Sequence, residues 1–336
     1  MDHPFMTQEI GSLRKPEWYV RALRDHSLSK EAKERAKDDL SLLNLRMLED
    51  VGLDFVYDGE ARRVEMYEYP VRHIGGFVFT GRVRSFDNKY YRKARCVGPV
   101  EYMGNFHLDE FRFVKQHAKK AVKVPVTGPY TIVDWSFNEH YDTRKDFLND
   151  MSRKILNPLL KDLSKEGATV IQVDEPAATT HPNEMDDFKD AFNETVIDVG
   201  TRISVHICYS GDNYRTLFPI LDELKADQYA LEFANRDSWN LGTDEETRRG
   251  YVSLRLYREH GVSGIVGLGV LDVHTDRVET PELVRDRILF ATKLIGDPSK
   301  VYVNPDCGLR TRDRRTAFLK LKAMVEGAEL ARKALA

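Results

Sequence analysis

The chain has 336 residues, 41% of them hydrophobic and 31% charged, and a formal net charge of −3. That composition belongs to a globular protein long enough for one large domain or two ordinary ones, and its near-balanced charge gives no global sign of a nucleic-acid or membrane binder. With only three cysteines, no bilayer-length apolar run and no signal-peptide core, the sequence excludes a disulfide framework and predicts a reducing cytoplasm.

Extended apolar runs alternate with helical patterns from end to end. The first run, Thr7 to Ser12, is followed by a polar helix through about Val51, and the second is Asp54 to Gly59. A long irregular section spans about 61–105, then a helix from Asp109 to Ala121 precedes the third run, Val122 to Gly128. Helices near 143–166 and 186–199 frame the fourth run, Thr169 to Glu175, and lead to the fifth, Ile203 to Tyr209. The last three are Gln228 to Ala234, Gly264 to Val273 and Lys300 to Cys307, closed by a helix from Arg312 to Leu335. Strands alternating with helices pair in parallel, and eight such units predict an α/β protein with one (β/α)8 TIM barrel domain over 1–336. The 61–105 section is then an insertion after strand 2, lying over the barrel mouth. An open doubly wound sheet is the competing architecture, but no glycine-rich dinucleotide fingerprint follows an early strand.

Active sites of such barrels collect at the C-terminal strand ends. Each predicted end carries a reactive or polar residue: Ser12; Asp58-Gly59-Glu60; Thr127-Gly128-Pro129, with Trp135 beyond; Asp174-Glu175-Pro176; His206 and Cys208; Glu232; Asp272 and His274; Asp306 and Cys307. In Ser204-Val205-His206-Ile207-Cys208-Tyr209-Ser210 the alternation of a strand aims His206 and Cys208 to one face. An imidazole beside a thiol is half of a metal site, and Glu232 and Cys307 complete a candidate set. Taken singly, His206 and Cys208 read as readily as a buried neutral histidine and an inert core cysteine, while Glu232 reads better as a solvated or salt-bridged carboxylate and Cys307 as a packed core thiol. Two thiolates, an imidazole and a carboxylate together favour zinc, one per chain, over magnesium or calcium. Such an electron-rich centre activates water poorly but holds an incoming thiol as thiolate, so alkylation of a substrate thiol is expected ahead of hydrolysis. Glu232, the hardest donor on a soft site, is the ligand expected to yield.

At these residues the sequence resembles the C-terminal catalytic barrel of cobalamin-independent methionine synthase. The similar stretches are Ile10-Gly11-Ser12, Asp58-Gly59-Glu60, Arg95-Cys96-Val97, Thr127-Gly128-Pro129-Tyr130-Thr131-Ile132 with Trp135-Ser136, Ile171-Gln172-Val173-Asp174-Glu175-Pro176-Ala177, His206-Ile207-Cys208-Tyr209, Glu232, Asp272-Val273-His274 and Val303-Asn304-Pro305-Asp306-Cys307-Gly308-Leu309. The resemblance implies zinc on His206, Cys208, Glu232 and Cys307, and L-homocysteine as methyl acceptor, converted to L-methionine. It places Ile10, Gly11 and Ser12 on the homocysteine carboxylate, Glu60 and Asp174 on its ammonium, and His274 as proton donor. Arg95, Cys96 and Trp135 fall on the side of the methyl donor.

Two departures stand out. The full-length family carries an extra N-terminal barrel, so this chain resembles the short core form. Where the family has an Arg-Glu pair after Asp-Glu-Pro-Ala, this sequence runs Ala178-Thr179-Thr180, which removes a folate contact. The expected donor is therefore a methylated corrinoid protein or methylcobalamin, ahead of a methyl-tetrahydropteridine such as methyl-tetrahydrofolate. The basic and aromatic section (Arg62, Arg63, Arg72, Arg82, Arg84, Lys89, Arg92, Lys93 and Arg95 among Tyr67, Tyr69, Phe77, Phe79, Phe86, Tyr90 and Tyr91) suits an acidic carrier, an acidic pterin tail or merely a solvated hairpin. No nucleic-acid or membrane partner is expected. Competing readings are a related zinc barrel methylating another thiol, such as coenzyme M, and a non-enzymatic zinc-stabilised scaffold. Glu60 and Asp174 argue against the first, because a sulfonate thiol has no ammonium.

Overall fold

The structure, a computed structural model, describes residues 3–84, 90–208, 211 and 213–335. Phe86, Lys89, Tyr209 and Ser210 of the sequence motifs lie outside them. The strands are β1 (Phe55–Val56), β2 (Ile74–Arg84), β3 (Tyr90–Tyr102), β4 (Ala121–Thr127), β5 (Phe137–Asn138), β6 (Val170–Asp174), β7 (Arg202–Ile207), β8 (Gln228–Leu231), β9 (Ile265–Leu271) and β10 (Val301–Pro305). Seven share one sheet in the order β1-β4-β6-β7-β8-β9-β10, and β2-β3-β5 form another. The pairs β1–β4, β6–β7 and β9–β10 are parallel, as the alternation of strands and helices requires. Every residue of β6, β8 and β10 is buried, the mark of strands covered on both faces. The predicted strands after the insertion thus appear within a few residues of their expected limits.

The chain divides into two compact units. One comprises Met1–Arg62, Phe113–Lys123 and Ala230–Ala336. Within it the first predicted strand is reduced to isolated bridges, Thr7 to Val303 and Gln8 to Phe55, both parallel. Thr7 spends its N–H and its hydroxyl on Asp54 Oδ2, at 2.7 and 2.9 Å. The single polar helix expected through Val51 is two, Glu17–Arg24 and Lys30–Val51. Asp25 stops the first by accepting the Ser27 N–H and hydroxyl, and Ser29 caps the second by accepting the Ala32 N–H at 3.2 Å. A helix that the sequence reading omitted, Pro281–Ile295, has a Thr280 cap, a first-turn proline and Gly296 beyond its end, all of them visible signals.

The other unit comprises Arg63–Arg112 and Val124–Tyr229. Here the insertion is not irregular. It holds a short helix, Glu68–Val71, and an antiparallel hairpin of β2 and β3, to which β5 adds in parallel. The register slips between Gly75 and Phe77. Gly76 takes φ +89° there, and a Cβ would meet Pro99 O at 2.4 Å, so the bulge demands glycine. The helix expected over 143–166 is interrupted by a wider π turn at Met151–Leu156, just before Asn157-Pro158. Pro158 lacks the N–H that would continue the ladder.

Two residues of the basic section are structural. Arg62 pairs with Asp38. Arg63 is buried, donating to Glu110 Oε1 from Nε (2.9 Å) and to Pro125 O (2.8 Å), while His107 Nδ1 lies 2.7 Å from the same Glu110 oxygen. Burial and the Arg63 charge push His107 down to about 4. Burial opposes ionisation of Glu110, but Arg63 and His107 overcome it and hold the carboxyl at about 2. Both folded values lie below their unfolded ones, so both groups destabilise the fold as pH falls. We expect stability to drop between pH 6.5 and 4 through His107, then further from 4.5 toward 2 through Glu110. The first step is on the order of 1–3 kcal/mol. Urea midpoints across this range should show that step in the native protein and a much smaller one in His107→Gln.

Candidate active site

In the sheet register Asp174, the last residue of β6, stands beside His206 on β7. The Glu175 N–H donates to His206 O at 2.8 Å, continuing the pairing past the strand ends. His206 is buried and Cys208, just beyond β7, is half-buried. Cys307 follows β10 by two residues and is also half-buried. His206 and Cys208 thus offer an imidazole and a thiol at the end of β7, and Cys307 offers a second thiol just after β10. Two thiols and an imidazole make a soft, zinc-compatible donor set.

Glu232 lies buried just after β8, its carboxylate accepting from Arg236 Nη2 at 2.6 Å and Asn235 Nδ2 at 3.2 Å. Burial, then the charge of Asp306, push its carboxyl upward. Arg236 was not singled out from the sequence, although its spacing of four from Glu232 was readable. Asp306, beside Cys307, is fully buried and accepts the N–H groups of Phe233, Ala234 and Asn235.

The residues expected to meet the amino-acid substrate are placed as follows. Ile10 and Gly11 are buried and Ser12 is half-buried. The Leu13 N–H donates to Gly59 O at 3.1 Å. A Cβ on Gly11 would lie 2.8 Å from Glu60 Oε1, and one on Gly308 3.0 Å from Ser12 N. Only glycines therefore let these segments approach so closely. Glu60 is buried with φ +56°, a left-handed conformation unusual for glutamate and frequent where strain serves a site. Asp58, named with it, is structural: Ser41 Oγ donates to its carboxylate at 2.9 Å. Asp174 accepts from Gln172 Nε2 at 2.6 Å.

Of the residues expected on the donor side, Trp135 ends the helix Pro129–Asp134 and stacks on Tyr91 of β3, centroids 5.5 Å apart and planes 28° apart. The sequence separation of these rings hides the pair. Arg95 Nη1 donates to Glu139 Oε2 at 3.0 Å. Cys96 is buried, its thiol bonded to Gly98 O at 3.3 Å, and burial pushes it up to about 11. A thiol so held is inert. His274 is exposed on the turn after β9, where its N–H donates to Asp272 Oδ1 at 2.9 Å.

Soft donors at the strand ends of a parallel α/β sheet are the kind found in enzymes of thiol chemistry. A family model described as "Cobalamin-independent synthase, Catalytic domain" matches residues 5–330. A methionine synthase of Thermoplasma volcanium is 43% identical over 337 residues, covering 95% of this chain and 96% of the relative. One from Thermococcus kodakarensis is 41% identical over 341 residues, covering 100% and 96%. Among solved structures, a B12-independent methionine synthase from Shewanella sp. W3-18-1, in complex with selenomethionine, superposes with a TM-score of 0.85 at 27% identity, covering 99% of both chains. The chain belongs to the cobalamin-independent methionine synthase family and is a methyltransferase.

That finding corrects one expectation. The preference for a corrinoid donor or corrinoid-protein partner gains no support, since the matching family is described as cobalamin-independent. The non-enzymatic scaffold reading falls with it. No described helix is long and apolar enough to cross a membrane.

Glu175 carries a prediction here. Its buried carboxylate accepts the N–H groups of Tyr130 (3.0 Å) and Thr131 (2.7 Å) and the Thr131 hydroxyl (2.6 Å). Burial raises it to about 7 against those bonds. Glu175→Ala strands three buried donors and should cost roughly 2–4 kcal/mol in urea unfolding. Because Trp135 ends the same helix, its fluorescence should shift.

Proposed function

We propose that the chain moves a methyl group from a methylated tetrahydropteridine to the sulfur of L-homocysteine, giving L-methionine. The observation that carries this reading is the placement of His206 and Cys208 at the end of β7, and of Cys307 just after β10, in a chain of this family. These three, with Glu232 as fourth ligand, fit one zinc ion by their softness and charge. When bound, zinc keeps the substrate thiol deprotonated at neutral pH and therefore nucleophilic. Glu232 is the ligand suited to withdraw, because Arg236 and Asn235 already hold its carboxylate.

Glu60 and Asp174 bind the homocysteine ammonium through charge-assisted hydrogen bonds, and Ile10 to Ser12 hold its carboxylate. Orientation by these groups replaces a bimolecular encounter with a positioned one. Trp135 presents a face for the pterin ring, with Arg95 and Cys96 on the same side as spectators. The C–N bond to the methyl breaks as the C–S bond forms, and the nitrogen left behind takes a proton. His274 supplies it, since a neutral pterin nitrogen otherwise leaves badly. We also infer that the bridges of Thr7 and Gln8 to Val303 and Phe55 close the sheet as an eighth member. That reading makes 1–336 a single (β/α)8 barrel with the 61–105 section over its mouth. A cytoplasmic setting is consistent with only three cysteines in 336 residues.

The test is a donor panel with homocysteine and zinc: methyl-tetrahydrofolate, its pterin analogues and methylcobalamin. Methionine from a pterin donor is expected, and its absence from every pterin would overturn the donor assignment. Cys208→Ser and Cys307→Ser should lose most bound zinc by atomic absorption. His274→Asn should lower kcat with pterin donors by roughly 10²–10⁴-fold, with KM for homocysteine nearly unchanged.

A further inference from the structure

We infer that Asp306 is a positioning residue that, from the strand end bearing Cys307, sets Glu232 in place before any metal arrives, an inference that rests on the zinc reading above. Asp306 Oδ1 accepts the N–H groups of Phe233 at 2.9 Å and Ala234 at 3.0 Å, and Oδ2 that of Asn235 at 2.8 Å. Those amides form the turn that begins immediately after Glu232. Asp306 is itself the residue before Cys307, so one buried side chain ties the segment bearing one proposed ligand to the segment bearing another.

The neighbouring strand is shaped around the same carboxylate. The β9–β10 register shifts between Asn304 and Pro305, and the Asp306 N–H donates to Leu271 O at 3.0 Å. A bulge at that point re-aims the residues that follow it. Gly269 of β9 leaves the room: a Cβ there would lie 2.2 Å from Asp306 Oδ1. A carboxylate suits this seat because both its oxygens accept. Asparagine, of nearly the same size, offers one oxygen and turns an NH2 group toward an N–H donor. The turn would loosen with no change in volume. Partners that orient metal ligands without touching the metal typically contribute 10–100-fold in affinity.

The experiment measures the zinc dissociation constant by competition with a chromophoric chelator, for the full chain and for Asp306→Asn, Glu232→Gln and the double variant. Expected is a roughly 10–100-fold rise for Asp306→Asn, with the double variant little weaker than Glu232→Gln alone. Such non-additivity is what a residue acting through Glu232 produces. Tyr251→Phe, which removes the Tyr251 hydroxyl's 2.7 Å bond to Gly269 O in the same unit, should lower the melting temperature and leave the constant unmoved. An unchanged constant in Asp306→Asn, or losses that simply multiply, overturns the inference while leaving the zinc reading intact. A native chain that binds no zinc overturns both. Should Asp306→Asn not fold, Gly269→Ala, whose methyl displaces the carboxylate, carries the same expectations.

Discussion

A carboxylate withdrawn from water must take its hydrogen bonds from the chain around it, and this protein uses that requirement to fix the turns that carry its reactive side chains. Asp306 gathers three backbone N–H groups after β8. Glu175 gathers two, with a hydroxyl, at the start of the helix Pro129–Asp134. Asp54, only half-buried, does the same in part by taking the N–H and hydroxyl of Thr7. In each case the acceptor is distant in sequence from the turn it holds, so the turn keeps its shape only in the folded protein. The cost of burying each charge is what makes the geometry specific, since an unsatisfied alternative is expensive.

A fully buried cation, Lys320, serves the loop that bears His274 in the same way. Lys320 Nζ donates to Asp272 O at 3.0 Å and to Glu279 Oε2 at 2.8 Å, while Glu279 Oε1 accepts the Asp272 N–H at 2.8 Å. Both backbone groups of Asp272 are thereby spoken for, and Asp272 in turn holds the His274 N–H. Arg287 and Arg248 converge on Asp237 nearby, each at 3.0 Å. The pairing satisfies these charges; it does not by itself make the unit more stable than an apolar core of equal volume. What it supplies is a loop whose backbone has one arrangement, with the imidazole left exposed at its tip.

The basic and aromatic hairpin shows how composition misleads. Of the residues grouped from sequence, Arg63 is an interior strut and Arg62 a helix partner, and Arg92 lies 4.9 Å over the Phe79 ring. A run of arginines reads as one surface, but a strand sends alternate residues to opposite faces and an insertion folds back on its own unit. The section read as irregular because its glycines resemble loop punctuation. Gly76 is instead the bulge that lets two long strands stay paired.

The sequence alone determined the strand–helix alternation, the parallel pairing that follows from it, and the candidate residues at each strand end. Period-two apolar runs and helix caps are local signals, set by neighbours along the chain. Asp306 and Arg236 stood in plain sight as residue types, but which N–H groups or carboxylate they would meet depended on register and on one bulge. The stacking of Tyr91 on Trp135, the bond from Arg63 to Pro125 and the approach of Gly11 to Glu60 were decided only by the tertiary structure. Each joins segments far apart along the chain, and such contacts are chosen by how the whole core packs, which no local pattern encodes.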